Sequence, residues 1–436
     1  MNLLGFLRTQ ARWLTTGFTL FLISSFGQTF FVSLSAEDIR RDFRLSHGEF
    51  GTLFTVATLL SALTLPRLGG LIDRRAARRV VAASVLMLGV GAALLASARH
   101  VAVLFVALFL LRLFGQGMMT HLGFTLIGRW FTHLRGRALA LTTLGLNLGQ
   151  ALLPAAGIAL AAMLGWRGNW WIVAAVLIVC VLPLLAATAA TERAADTPSG
   201  GDATGQDTLR QWTRAEVLRD PAFYLLLLGM LPPALISNTL FFHQVLLVQI
   251  KGWSLTAFAS SFSVLAASTI LFSLIAGHLV DRWSATRLLW AYLLPFGAGC
   301  MLLAVAPGGW VPFVFMALFG ITNGCSLALF GALWPEVYGT RHLGAIRSLV
   351  SACLVLASAL GPGVSGRLID AGIGLLPQLF VLGLCCVGVS ALMWPTVRHV
   401  DGRRCALPSA GGVDPSDVQA PGTQTIAMLA HTPKLK

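Results

Sequence analysis

Apolar stretches about twenty residues long recur along the chain, separated by short polar intervals. Six run at about 14–34, 49–68, 80–98, 101–127, 138–164 and 169–190, and six more at about 222–250, 257–276, 288–306, 310–333, 344–368 and 374–397. A helix needs about 20 residues to cross a hydrocarbon core about 30 Å thick, so each stretch is long enough to span a bilayer. Glycine and proline inside the stretches fit this reading, because neighbouring membrane helices re-satisfy the backbone groups those residues free. The pattern predicts an all-α membrane protein with 12 transmembrane helices. The interval 191–221, with Asp196, Pro198, Gly200, Gly201, Asp202, Gly205 and Asp207, reads as a hydrophilic linker between halves 1–190 and 222–397. Residues 398–436 lack apolar periodicity and are expected to form a disordered tail.

Composition supports the membrane reading. AVILMFWYC residues make up 56% of the 436 and charged residues 11%, whereas a soluble chain carries about 25% charged residues. An ordinary water-facing surface is excluded. The formal charge of +14 raises the question of nucleic acid, but the basic residues sit in short clusters between apolar runs. No basic face emerges, and nucleic acid is not an expected partner. Lysine and arginine number 23 on one side of the twelve-span arrangement and 7 on the other. Their bias places both termini and the linker in the cytoplasm. Only Lys251, Lys434 and Lys436 are lysines, an arginine-rich usage that suits a GC-rich bacterial genome and hence a bacterial inner membrane. The first run follows Arg8 and Arg12 and is too long for a signal peptide's apolar core, so it reads as an uncleaved span. Seven cysteines show neither metal-ligand nor disulfide-framework spacing.

The halves repeat. Gly69-x-x-x-Asp73-Arg74, ending in Arg79, recurs as Gly277-x-x-x-Asp281-Arg282, ending in Arg287, at an offset of 208 residues. Gly136 and Gly344, and Pro154 and Pro362, share that offset. Two parallel six-helix repeats are a known transporter design.

With these residues in place, the segment Gly69-Gly70-Leu71-Ile72-Asp73-Arg74-Arg75-Ala76-Ala77-Arg78-Arg79 resembles the loop between spans 2 and 3 that marks the major facilitator superfamily, G-x-x-x-D-[RK]-x-G-[RK]-[RK]. Ala76 or Ala77 stands where glycine is usual. The likeness extends over 14–397 and implies two pseudo-symmetric six-helix bundles around one central cavity, working by alternating access without a cofactor. It assigns Asp73 a latch that closes the cytoplasmic side, with Gly69, Arg74 and Arg79 in the same loop and Gly277, Asp281 and Arg282 as the second copy. The run Leu333 to Arg341 resembles the family's loop between spans 10 and 11, and there Glu336 is expected to meet an arginine. In physical terms, a carboxylate at a helix end can pair with arginines or with a helix N-terminus across the bundle, and rocking of the halves makes or breaks that contact. The alternative is that these charges are solvated topology signals.

Arg112-Leu113-Phe114-Gly115-Gln116-Gly117 resembles the family's R-x-x-x-G motif, often associated with proton coupling. Arg112 stands about eleven residues into its run, where an arginine costs roughly 2.5–3.5 kcal/mol to insert and is a functional candidate by default. Two roles stay open: contact with an anionic substrate, or hydrogen bonding to neighbouring helix carbonyls. Gly145 and Gly149 form a G-x-x-x-G face suited to close helix contact. The Gly-Pro pair expected of exporters in that span is missing. Gln28, Arg112, Gln116, Asn147, Asn238 and Asn323 are the candidate substrate contacts, and His243 is a candidate proton carrier. No carboxylate lies deep in a span, and no catalytic set, phosphate loop or metal cluster appears, so the chain is not expected to be an enzyme. The expected activity is secondary transport of a small organic anion, such as a carboxylate, with protons as the coupling ion. Proton-driven efflux of hydrophobic drugs is the alternative, and a monomer in the lipid bilayer is the expected state.

Overall fold

The structure is a computed structural model and describes residues 3–131, 135–189, 212–339 and 342–405. It is nearly all helical. In the first half, α1 (Leu3–Ser24) leads through a tight turn at Ser25–Gly27 and a single helical turn at Thr29–Val32 to α2 (Ala36–Phe43). Then come α3 (His47–Gly69), α4 (Ala77–Ser97), α5 (Val101–Trp130) and α6 (Arg137–Thr188). The second half comprises α7 (Pro221–Phe242), α8 (Gln244–Lys251), α9 (Leu255–Trp283), α10 (Leu294–Val305), α11 (Val311–Tyr338), α12 (Leu343–Asp370) and α13 (Leu375–Cys405).

Among the described residues, nine helices are long and apolar enough to cross a membrane, or ten when the bent first pair is one span. α6 has 52 residues, about 78 Å at 1.5 Å per residue, more than twice the core thickness. Gly165 breaks it at φ 71° and ψ 169°, leaving length for two crossings. α10, with 12 residues, is shorter than a full span. Local chemistry sets several helix starts. Ser46 and Glu49 form a capping box on α3, and Asp220 accepts from the Ala222 N–H ahead of α7. Proline occupies the first turn of α7, α10 and α11, where its missing N–H costs nothing.

Two features depart from the sequence reading. The first apolar stretch is bent by 49° between Thr9–Gly27 and Thr29–Phe43 rather than being one straight helix. The last helix continues past 397 to Cys405, so the tail expected from 398 onward starts as helix; Arg398 holds its guanidinium 4.6 Å over the Trp394 ring. Residues 406–436 and most of the linker lie outside the described residues. The linker's end is docked: the Trp212 N–H donates to the Tyr338 carbonyl at 3.1 Å, and the Tyr338 hydroxyl donates to Asp220 at 3.0 Å.

Small residues bring the helices close. A Cβ on Gly145 would overlap the Phe18 carbonyl of α1, and one on Gly149 the Ser25 hydroxyl, which is the close face expected of that pair. In the second half Gly361 of α12 meets Leu235 and Thr239 of α7 in the same way. Across the halves α3 packs on α12 and the first part of α6 packs on α9. These two contacts exchange under the repeat, since α3 corresponds to α9 and the first part of α6 to α12.

Candidate functional site

The bend in the first span is the centre of the site. Gln28 is extended (φ −76°, ψ 151°), and the Gly27 carbonyl turns to a side chain instead of completing a helical bond. Arg112 of α5 supplies the donor: Nη1 donates to the Gly27 carbonyl at 3.0 Å and to Thr29 Oγ1 at 3.2 Å, and Nε donates to Thr58 Oγ1 at 3.0 Å. The guanidinium also lies 5.0 Å from the Phe54 ring centroid. α5 widens into a π-helix over Leu111–Met119, a feature frequent at functional sites. Bend and π-helix cross with no room for a side chain, because a Cβ on Gly115 would stand 2.5 Å from the Gly27 Cα. Arg112 is 1% exposed, and among the described residues no carboxylate pairs with it.

From Arg112 a polar chain reaches the other half. Thr29 donates its hydroxyl to Asn238 Oδ1 of α7 at 2.5 Å. Gln28, Arg112, Gln116 and Asn238 thus gather around the bend. Gln28 and Gln116 are half-buried and form no side-chain hydrogen bond among the described residues. Asn147 shares its helix face with Ala151, whose carbonyl accepts from Ser263 of α9, and Asn323 donates to Thr269 within the second half at 3.3 Å.

The halves are sealed at the arginine-poor end. Asp370 at the end of α12 accepts from the Ser46 hydroxyl at 2.6 Å and the Gly48 N–H at 2.8 Å, at the start of α3. Gln244 donates to the Phe30 carbonyl at 2.7 Å and to Ser33 at 2.9 Å. Phe242 packs between Phe50 and Phe54, at 5.2 and 4.9 Å. Toward the arginine-rich end α3, α5 and α12 diverge around a cavity of about 880 Å³. Leu59, Ala62, Pro66 and Val355 are among its walls, and His121, Thr125 and Ser351 are its few polar side chains.

The sequence comparisons match this architecture. The profile described as Major Facilitator Superfamily matches residues 16–362, most of the chain. The chain belongs to this superfamily. Superfamily members are transporters, and an MFS-type transporter of Gibberella moniliformis is 24% identical over 292 residues, 65% of this chain and 66% of that relative. Among solved structures, a bacterial homolog of the human lysosomal transporter Spinster, inward-facing and unoccupied, has a TM-score of 0.64 at 16% identity, covering 91% of this chain and 97% of that one. A D-xylose–proton symporter has a TM-score of 0.67 at 16% identity, covering 91% and 99%. Both structures share the fold.

The superfamily's signature loops are partly described. Gly69 lies under His121, whose Nε2 is 3.3 Å from the Gly69 carbonyl, so a side chain there would press on the imidazole. The side chains of Asp73, Arg74 and Asp281 lie outside the described residues. Arg79 is exposed and, with Arg75, borders a groove of about 320 Å³ between α3, α4 and α5. Gly277 has open space around it and Arg282 is exposed. Glu336, expected to meet an arginine, accepts from the Ala285 N–H at 2.8 Å and from the Thr286 hydroxyl at 3.4 Å. These two contacts tie it to the turn after α9. Sequence reasoning missed Thr58, Ser46 and Asp370. Only Ser46 carried a local signal, its capping box with Glu49.

Proposed function

We propose that this transporter moves a small organic anion with an apolar body by alternating access, with protons as the coupling ion. One observation carries the reading: Arg112 is a cation in the middle of the membrane-spanning region, held by neutral oxygens with no carboxylate beside it among the described residues. A buried charge is normally paired, and a substrate anion supplies the missing partner. Nη2 makes no hydrogen bond among the described residues and is the nitrogen left to receive it. The apolar cavity below accommodates the rest of the molecule. The arginine bias puts the arginine-rich end in the cytoplasm, so the arginine-poor seal is outer and the cavity opens inward. Twelve spans, arranged as bundles 1–190 and 222–397, a bacterial inner-membrane location and a monomer complete the reading. Proton coupling draws support from the Arg112 motif and from a structural neighbour that is a proton symporter.

Efflux of uncharged or cationic lipophiles is the second reading, favoured by the scarcity of polar groups in the cavity. A thermal-shift screen of the purified protein separates the two, since a ligand that binds the native state raises its apparent stability. Stabilisation by aromatic and medium-chain carboxylates, reduced in Arg112→Gln, supports the anion. Stabilisation by lipophilic cations alone overturns it.

A further inference from the structure

Two histidines face each other across the outer seal. His47 opens α3 in the first half and His243 follows α7 in the second, and their ring centroids are 5.9 Å apart. His243 is 3% exposed. Its ring hydrogen-bonds the Pro362 carbonyl, whereas its Nε2 is buried with no partner among the described residues. Buried polar atoms are almost always hydrogen-bonded, and the exceptions call for an explanation. The space beside the rings, bordered by Glu37, Arg40, His47 and His243, amounts to about 10 Å³, no more than one water requires.

The charges around the pair are already committed. On the first half, Glu37 is bound to Arg40 at 2.7 Å and His47 stands opposite. On the second, Asp370 of α12 accepts from Ser46 and Gly48, and Phe242, Val245 and Leu246, which line the space beside His243, are apolar. A proton placed on His243 in the closed seal would add a positive charge beside His47 and Arg40, with the nearby carboxylates already bound to other groups and room for at most one water to solvate it. Separation of the halves removes that penalty, because both rings then reach the outer solvent.

We propose that His243, opposed by His47, is a proton-binding site of the outer gate, empty when the seal is closed and filled from the periplasm when it is open. The proposal rests on the orientation and proton coupling proposed above. Its sign follows from linkage. The closed form holds neutral histidine and the open form binds a proton near the ordinary pKa of about 6.5. The open-to-closed ratio therefore grows as external pH falls, by about 30-fold between pH 8 and pH 5. Free carboxylates ordinarily titrate near 4, below this window.

The test uses full-length protein in nanodiscs, with spin labels at Arg99→Cys and Ile373→Cys on the outer face in a background whose native cysteines are replaced. Distance distributions by pulsed dipolar spectroscopy should show the ratio of open to closed distances rising about 30-fold from pH 8 to pH 5, with the rise setting in between about 6 and 7. His243→Phe, or His243→Gln should the phenylalanine variant not fold, should abolish the rise, and His47→Phe should keep it with the onset moved upward. A flat wild-type profile, a rise that survives both His243 variants, or one centred near 4 and lost in Glu37→Gln overturns the proposal. The readout needs no substrate. Failure of organic-anion transport with pH-driven opening intact rejects the substrate reading alone, and the converse rejects the gate alone.

Discussion

Gly366→Ala separates gating from folding. Gly366 of α12 faces the backbone of α3 in the other half. A methyl there would overlap the His47 carbonyl oxygen and stand 2.8 Å from its carbon and 3.1 Å from the Gly48 Cα. All three atoms are backbone at a capped helix start, so none can swing aside as a side-chain tip would. Forcing an extra carbon into a packed contact costs about 1–3 kcal/mol. That cost falls on the outer-closed state alone, because the contact joins the two halves. At 1.36 kcal/mol per decade the closed-to-open ratio drops by about 5- to 150-fold. Pulsed dipolar distances across the outer face at pH 8 read this directly, with Gly331→Ala, whose new Cβ meets nothing within 4 Å, as the control. The control should match wild type while Gly366→Ala populates the open distance. Equal distributions in both variants would refute the reasoning that α3 and α12 form the outer seal by close backbone contact.

Other expectations follow from the same geometry. Gly115→Ala wedges α5 from the Gly27 bend inside one half, so it should lower stability by about 1–3 kcal/mol, seen as a reduced melting temperature relative to Gly331→Ala. Thr29→Val removes the link between Arg112 and Asn238 and strips a partner from each, a loss of about 1–3 kcal/mol. Its expected signature is a lower melting temperature with slower transport, and unchanged values in both would argue that the chain of bonds carries nothing. Asp370→Asn weakens an exposed charge contact with a helix start, worth about 0.3–1 kcal/mol, so its shift toward the open distance should be smaller than that of Gly366→Ala.

What the sequence reveals and what it hides divide along one line. Apolar stretches of span length, the Gly145–Gly149 face, the capping box at Ser46 and the mid-span depth of Arg112 are properties of one segment and are legible in it. The bend at Gly27 and Gln28 is not, because Ser-Phe-Gly-Gln contains no proline and the interruption is stabilised by an arginine 85 residues away. Asp370 and Ser46 meet across 324 residues, and His47 meets His243 across the same seal; no helical period reports a partner on another helix. A polar residue at mid-depth, such as Asn147 or Asn323, looks the same in sequence whether it joins the central group or ties its own half together. The first span's bend and the long last helix likewise depend on neighbours that supply hydrogen bonds and stacking, not on local composition.

On the proposed function, Arg112 is the counter-charge for an anionic substrate. Counterflow of a radiolabelled aromatic carboxylate into proteoliposomes, comparing wild type with Arg112→Gln, addresses it most directly. Removing one partner of a buried charge pair costs about 2–5 kcal/mol, so transport should fall by at least about 30-fold in the variant while its outer-face distances still report both states. Carboxylate counterflow that persists within a few fold of wild type in Arg112→Gln would contradict the claim and leave the guanidinium as a support for the bend.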